Sequence, residues 1–402
     1  MVLVSAYFLI IWQEILPNII GSRGARDYAS YHYAVHAVVQ EIQPYDVENL
    51  NLLAQQDGTR KEVHPFFYPP PSILPLLWTR YFSLSEGYVL LFWLNQLLVF
   101  ISMYYIQKAL RISWVLILSM FVLFFPVFDT MKMGQINIFI LALLAYTLYT
   151  QSVERKFGVG RAGISLAVAS MTKMSPALLF FQWCAQSKYK MVLYCASTCV
   201  LLTFCVLPWM NVDTQMFFYT HVLPSFASGE YAGLQIPINL PANHSIPNIL
   251  YQCFPENSTM VLSAKAKLFS SIINVSIFVS MLVFSRKILD KTAQYYVSSA
   301  WICVMLLFPV YTYEHHLVLL LLPMASVLHA TQKSSKHLKI GIWLSFVLGG
   351  LPIFTIRALQ KTLPILHWWL QETKFFYIIY LFVLCLCFAW KQEKNLRENN
   401  NV

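Results

Sequence analysis

Charge is scarce along this chain. Only 11% of its 402 residues are Asp, Glu, Lys or Arg, whereas an ordinary soluble domain carries about 25%, and that shortage excludes a soluble fold. There is also no basic amphipathic face. Lys and Arg stand in short clusters between apolar runs, so the net charge of +10 describes membrane topology and implies no nucleic-acid partner. The eight cysteines lack metal-ligand spacing and nearly all fall inside apolar segments, which excludes a disulfide framework. Cys195 and Cys199 read as core packing, and only Cys253 falls in a polar loop. No internal repeat, no Gly/Ser-rich linker and no low-complexity tract precedes the polar tail that begins at Lys391. The parse is one membrane-embedded domain, 1–390, with a cytoplasmic polar tail, 391–402.

What the chain does have is apolar length. Hydrophobic residues make up 58% of it, and runs approaching the roughly 20 residues that cross a bilayer recur, for example at 88–106, 112–128, 191–208 and 297–310. The pattern predicts helices near 2–20, 87–107, 112–130, 135–150, 189–209, 262–285, 294–312, 316–330, 338–356 and 375–390. Residues 70–83, broken by Pro69, Pro70, Pro71 and Pro75, read as a membrane-dipping element. Residues 162–186 read as a short hairpin turning near Lys173 and Pro176. The expectation is an all-α polytopic membrane protein with about ten to twelve transmembrane helices. The first run lacks the basic flank and small-residue cleavage site of a signal peptide, so it reads as a helix whose Gln13 and Glu14 face the bundle.

Orientation follows from the basic residues. With the N-terminus cytoplasmic, the inner segments 108–111, 151–161, 187–190, 286–293, 331–339 and 391–402 hold sixteen Lys and Arg against four Asp and Glu, as the positive-inside rule requires. The two long non-helical stretches, about 21–70 and 210–261, then fall outside, where long loops commonly carry function.

Several polar groups map to that outer side. Asp27 follows the first helix closely, so its carboxylate sits at the membrane surface, placed to take a proton from a hydroxyl while Arg23 and Arg26 attract a phosphate; the alternative is a solvated loop acid. The run His64 to Pro71, with Tyr68, enters the bilayer as an aromatic anchor or a contact for substrate. Lys132, Gly134, Gln135 and Asn137 occupy a turn at membrane depth, where the amides bind substrate or a neighbouring helix. Lys173 lies in an apolar hairpin, either meeting an anionic phosphate or snorkelling. Of the adjacent His315 and His316, which point about 100° apart on a helix and make poor joint metal ligands, one is a candidate donor to a phosphate or hydroxyl.

In order along the chain, Asp27-Tyr28 with Tyr31 or Tyr33, Tyr68-Pro69-Pro70, Gly134-Gln135-Ile136-Asn137, Lys173 with Pro176, Asn243-His244-Ser245 and Glu314-His315-His316 resemble glycosyltransferase family 87. These are membrane transferases of the GT-C fold that use polyprenyl-phosphate mannose. The resemblance spans 27–316 and implies an inverting, metal-independent transfer of a hexose, with no cofactor. A polyprenyl-phosphate sugar would be the donor and a lipid or glycan the acceptor. In that scheme Asp27 is the base, and His315 or His316 steadies the phosphate or orients the acceptor. Lys132 and Lys173 offset charge, and Arg26, Tyr28, Tyr31, Tyr68, Gln135, Asn137, Asn243 and Ser245 line the substrates. It further implies a bacterial inner membrane with the site facing outward, although sequons at Asn243, Asn257 and Asn274 point toward an endoplasmic reticulum. The first loop holds no Asp-x-Asp pair, unlike metal-dependent GT-C relatives. Two other functions compete. A transporter or flippase of lipid-linked saccharides would place its charges at the midplane in related halves. A polysaccharide polymerase would use a diphosphate-linked oligosaccharide.

Overall fold

The computed structural model describes residues 2–20, 26–59, 62–152, 158–230 and 236–400, and among these it is almost entirely helical, with no strand. The chain is an all-α polytopic membrane protein. By length and composition, four helices suffice to cross a bilayer: Val2–Ile19, Leu84–Leu110, Ala264–Arg286 and Thr373–Asn399. Two bent pairs raise the number to six, and Asn137–Gln151, Tyr189–Cys205 and Glu314–Ala330 are shorter apolar helices. Against the expected ten to twelve or so transmembrane helices, the described residues thus hold a mixture of full-length, bent and short apolar helices.

Proline explains the bends. The predicted helix 112–130 is Trp114–Leu123 followed, after a 58° bend, by Pro126–Met133. The predicted helix 338–356 ends at Gly349, and Ile353–Thr362 leaves at 95° behind Pro352. Pro126 and Pro352 lack the N–H that would continue the ladder. The two breaks abut, because the Phe125 N–H donates to the Gly350 carbonyl at 3.2 Å, so each recovers a bond that the other freed. Near Lys173 the predicted turn is present as a break between Gly158–Thr172 and Leu178–Ala185, with a short 3-10 turn at Ser175–Ala177. Residues 70–81 form a 3-10 helix, Pro70–Tyr81.

The centre of the bundle is Lys291–Leu307, buried at every residue from Tyr295 to Leu307 and packed on Thr373–Asn400, Leu321–Ala330 and Leu178–Ala185. Its polar groups bond between helices: Ser299 to Ser326 at 2.6 Å, Ser298 to Gln182 at 2.9 Å, and Trp301 to Ser285 at 3.0 Å. By contrast, Leu193, Val200, Leu201 and Phe204 on Tyr189–Cys205, and Leu268, Ile272, Val275 and Val283 on Ala264–Arg286, are exposed. Soluble monomers rarely leave so much contiguous apolar surface in water; facing lipid, it costs nothing.

Both long stretches expected outside fold, where described, into short helices. The first contains Arg26–Val39 and Val47–Gln56, and the second Val212–Phe217, Leu223–Ser228 and Ile246–Cys253. The expected polar tail is also ordered. Helix Thr373–Asn400 runs through it, and buried Glu393 accepts the N–H groups of Leu289 and Asp290 at 2.8 and 2.9 Å while Arg397 donates to the Lys287 carbonyl.

Candidate active site

The site is seated by a turn. Helix Pro126–Met133 ends on Gly134 at φ 66°, a left-handed conformation that costs an L side chain about 1–2 kcal/mol. A Cβ there would also lie 2.7 Å from Tyr28 Cβ and 2.9 Å from the Tyr88 ring. Gly87 likewise makes room for the Tyr28 hydroxyl. Tyr28 is therefore a fully buried wedge, stacked on Tyr88 at 5.8 Å, with its hydroxyl unpartnered. It holds the start of helix Arg26–Val39 over the 134–136 turn and sets Asp27 in the first turn of that helix, where the helix dipole favours a carboxylate.

Asp27 Oδ1 lies 2.8 Å from His64 Nδ1, the carboxylate side chain being 12% exposed and the imidazole 30%. Burial pushes the Asp27 carboxyl up, but the His64 bond, the charge of His315 and the Gln135 amide outweigh it and hold the group below the usual carboxylate range. Asp27 is thus an anion with one oxygen tied down. Beside it, the Tyr31 hydroxyl is 2.7 Å from Gln135 Oε1 and 2.8 Å from the Tyr68 hydroxyl, so Tyr31, Tyr68 and Gln135 form one buried polar cluster.

On the other wall, Lys173 Nζ donates to Asn137 Oδ1 at 2.6 Å, and Asn137 Nδ2 donates to the His315 carbonyl at 3.0 Å. Thr130 donates to the same carbonyl at 2.9 Å. His315 Nδ1 is 4.0 Å from Asp129 Oδ2. The two histidines differ in their surroundings: His316 Nδ1 accepts the Tyr313 N–H at 2.9 Å, whereas His315 turns toward Asp129 and acts on the charge of Asp27.

Other candidates lie elsewhere. Lys132 pairs with Glu14 at 3.7 Å, which also gives the intramembrane acid of the first helix its partner. Asn243 donates to the carbonyls of Ile238 and Val310 and accepts the Thr312 N–H at 2.9 Å; Ser245 donates to Val310 and caps helix Ile246–Cys253. Those two residues clamp the loop before Ile246–Cys253 onto 310–312 and so position the 3-10 segment Glu314–Leu320 that carries His315. Arg23 and the side chain of Arg26 lie outside the described residues. Of the three sequons, Asn243 is buried and Asn274 sits in a membrane helix bonded to the Phe308 carbonyl; Asn257 is exposed.

Sequence reasoning missed His64 as the partner of Asp27, because 37 residues separate them and no spacing links them. It also missed Lys374, which forms a buried ion pair with Glu314, while the other oxygen of Glu314 meets His244 Nε2 at 2.9 Å. Sixty residues separate Lys374 from Glu314, and no spacing links them. Among the described residues, no three His, Cys, Asp or Glu side chains come together as metal ligands.

The arrangement offers a carboxylate held as an anion beside cationic and neutral donors. No curated protein matches the chain. The profile of glycosyltransferase family 87 matches residues 66–310, more than half of the chain, a stretch that holds Tyr68, Gln135, Asn137 and Lys173; His64 stands just before it and His315 just after, and Asp27 lies outside it, 39 residues before its start. Glycosyl transfer, rather than transport, is the activity class this match carries. The chain is a membrane protein that belongs to glycosyltransferase family 87.

Proposed function

We propose that the protein moves a hexose, mannose in the first instance, from a polyprenyl-phosphate donor to a lipid or glycan acceptor at the outer face of a bacterial inner membrane, with inversion at the anomeric carbon. The observation that carries this reading is Asp27, a nearly buried carboxylate kept ionised and held through one oxygen by His64. The Asp27 carboxylate takes the proton of the acceptor hydroxyl. The acceptor oxygen forms the new bond to the anomeric carbon from the face opposite the phosphate, the sugar–phosphate bond breaks, and its electron pair leaves with the polyprenyl phosphate. Groups aimed at the developing phosphate charge accelerate this step more than groups that only bind the donor. Lys173, fixed by Asn137, and His315 are the groups suited to that task. Tyr31, Tyr68 and Gln135 flank the base and shape the acceptor's approach.

The test is transfer from radiolabelled polyprenyl-phosphate mannose to a membrane-lipid extract by the detergent-purified protein. Asp27→Asn keeps the shape and removes the base, and a positioned base contributes about 10²–10⁴-fold, so transfer falls by that factor. Wild-type activity in Asp27→Asn removes Asp27 from the chemistry, and no transfer by the wild type rejects this donor or acceptor class.

A further inference from the structure

His315 is held from two directions by consecutive residues of one helix. In Pro126–Met133, Thr130 donates to the His315 carbonyl at 2.9 Å, and the carboxylate of Asp129 stands 4.0 Å from Nδ1 of the same residue's ring. Neighbours on a helix point about 100° apart, so one fixes the backbone while the other faces the side chain. Asn137 adds a second donor to that carbonyl at 3.0 Å, which leaves the orientation of the ring as the freedom that Asp129 can control. Both side chains are nearly buried, Asp129 at 15% exposure and His315 at 8%.

The lysines around Asp129 are engaged elsewhere. Lys132 pairs with Glu14, Lys374 pairs with Glu314, and Lys173 donates to Asn137. Among the described residues, the ion-pair contact of Asp129 is with His315. The other titratable groups that face the ring are Asp27 from helix Arg26–Val39, His64 from the segment before Pro70–Tyr81, Lys173 from the break after Gly158–Thr172, and Glu314 and His316 beside it. The acids in that set have partners of their own, His64 for Asp27, and Lys374 with His244 for Glu314. A buried carboxylate without a cation is costly, and an imidazole that takes a second proton supplies one.

We propose that Asp129 is the positioning residue of His315: it holds the Nδ1 edge of the ring, so that Nε2 is the atom presented to the donor, and a phosphate arriving at Nε2 leaves the ring between two anions as an imidazolium. The proton enters from solvent as the phosphate binds; Nδ1–H then donates to Asp129 and Nε2–H to a phosphate oxygen. The contact closes from 4.0 Å at that stage, as catalytic hydrogen bonds do in a substrate complex. Anions this near favour the charged form of the ring, and the cation faces the oxygens on which charge builds as the sugar departs. The phosphate's part rests on the transferase reading above; the pairing of Asp129 with His315 stands on the geometry.

The test is nitrogen NMR of the full chain in nanodiscs at neutral pH, with histidine isotopically labelled and the His315 signals identified by their loss in His315→Gln. Polyprenyl phosphate, the leaving group itself, is the probe. In the wild type it converts His315 from a ring with one protonated nitrogen to a ring with two. In Asp129→Asn the ring keeps one protonated nitrogen at the same phosphate concentration while the remaining histidines hold their wild-type signals, and Asp129→Glu restores the second proton. In the transfer assay Asp129→Asn lowers kcat on the order of 10–100-fold, the loss of one charge-assisted bond, and raises the half-saturating donor concentration by a smaller factor. A second proton in the wild type without transfer of mannose rejects the donor and leaves the pair in place. A wild-type ring that gains no second proton, or an Asp129→Asn ring that gains it equally, overturns the assignment.

Discussion

His64 Nδ1 sits 2.8 Å from Asp27 Oδ1, so the partly exposed imidazole fixes one oxygen of a carboxylate that is itself nearly out of reach of solvent. Burial alone would raise the Asp27 pKa, and His64 contributes much of the opposing effect. The partnership therefore decides both where the base points and over what pH range it is a base.

Removing His64 gives a pH signature. Asp27 is held below the ordinary aspartate value of 3.8, so base-dependent activity is fully present above that value and is lost as pH falls through the depressed folded pKa. In His64→Ala burial acts with less opposition, the folded pKa rises, and the acid limb of the transfer rate moves to higher pH. His64→Gln keeps a donor and holds the limb closer to its wild-type position. Rate profiles between pH 4 and 8 check this; a limb unmoved in His64→Ala would mean that the imidazole does not govern Asp27.

At Gly134, alanine is expected to destabilise by about 1–3 kcal/mol from the left-handed backbone alone, with a further penalty from the Tyr28 and Tyr88 contacts. Because Tyr28 seats Asp27, transfer drops with stability. Gly341→Ala is the control, since nothing lies within 4 Å of its added Cβ and alanine is the better helix former. Melting temperatures in one detergent compare the two.

Lys173→Met removes the ammonium that bonds Asn137. If that charge meets the donor phosphate, the half-saturating donor concentration rises at least tenfold, in line with a charge-assisted bond of about 1.5–3 kcal/mol. An effect confined to the acceptor would reassign Lys173.

Lys374→Met leaves Glu314 charged and buried, a loss of about 3–5 kcal/mol. The double variant Glu314→Gln with Lys374→Met recovers part of it, because no lone charge then remains. Thermal unfolding of the wild type, the two single variants and the double variant forms a double-mutant cycle, and additive losses would deny the pair any coupling.

Sidedness is open to labelling. Cys253 is exposed in the second outer stretch, so a membrane-impermeant maleimide added to intact cells is expected to modify it in a protein whose other cysteines are replaced. Labelling only after permeabilisation would reverse the orientation.

The sequence by itself determined the membrane class, the family resemblance, and the separation of the basic clusters from the other polar groups. Those properties accumulate along the chain: hydropathy and charge add residue by residue and need no knowledge of what packs against what. The tertiary structure decided the partners. Lys132, expected at the substrate, meets Glu14; Asn243 and Ser245, also expected there, clamp the backbone before His315. Asp27 with His64, and Glu314 with Lys374, are joined across intervals that no periodicity encodes. Such pairs exist because Gly134 and Gly87 leave room for Tyr28, and because the breaks at Pro126 and Pro352 turn two helices toward one another. A steric allowance at one point in space selects contacts between distant segments, and that selection is a property of the packed bundle.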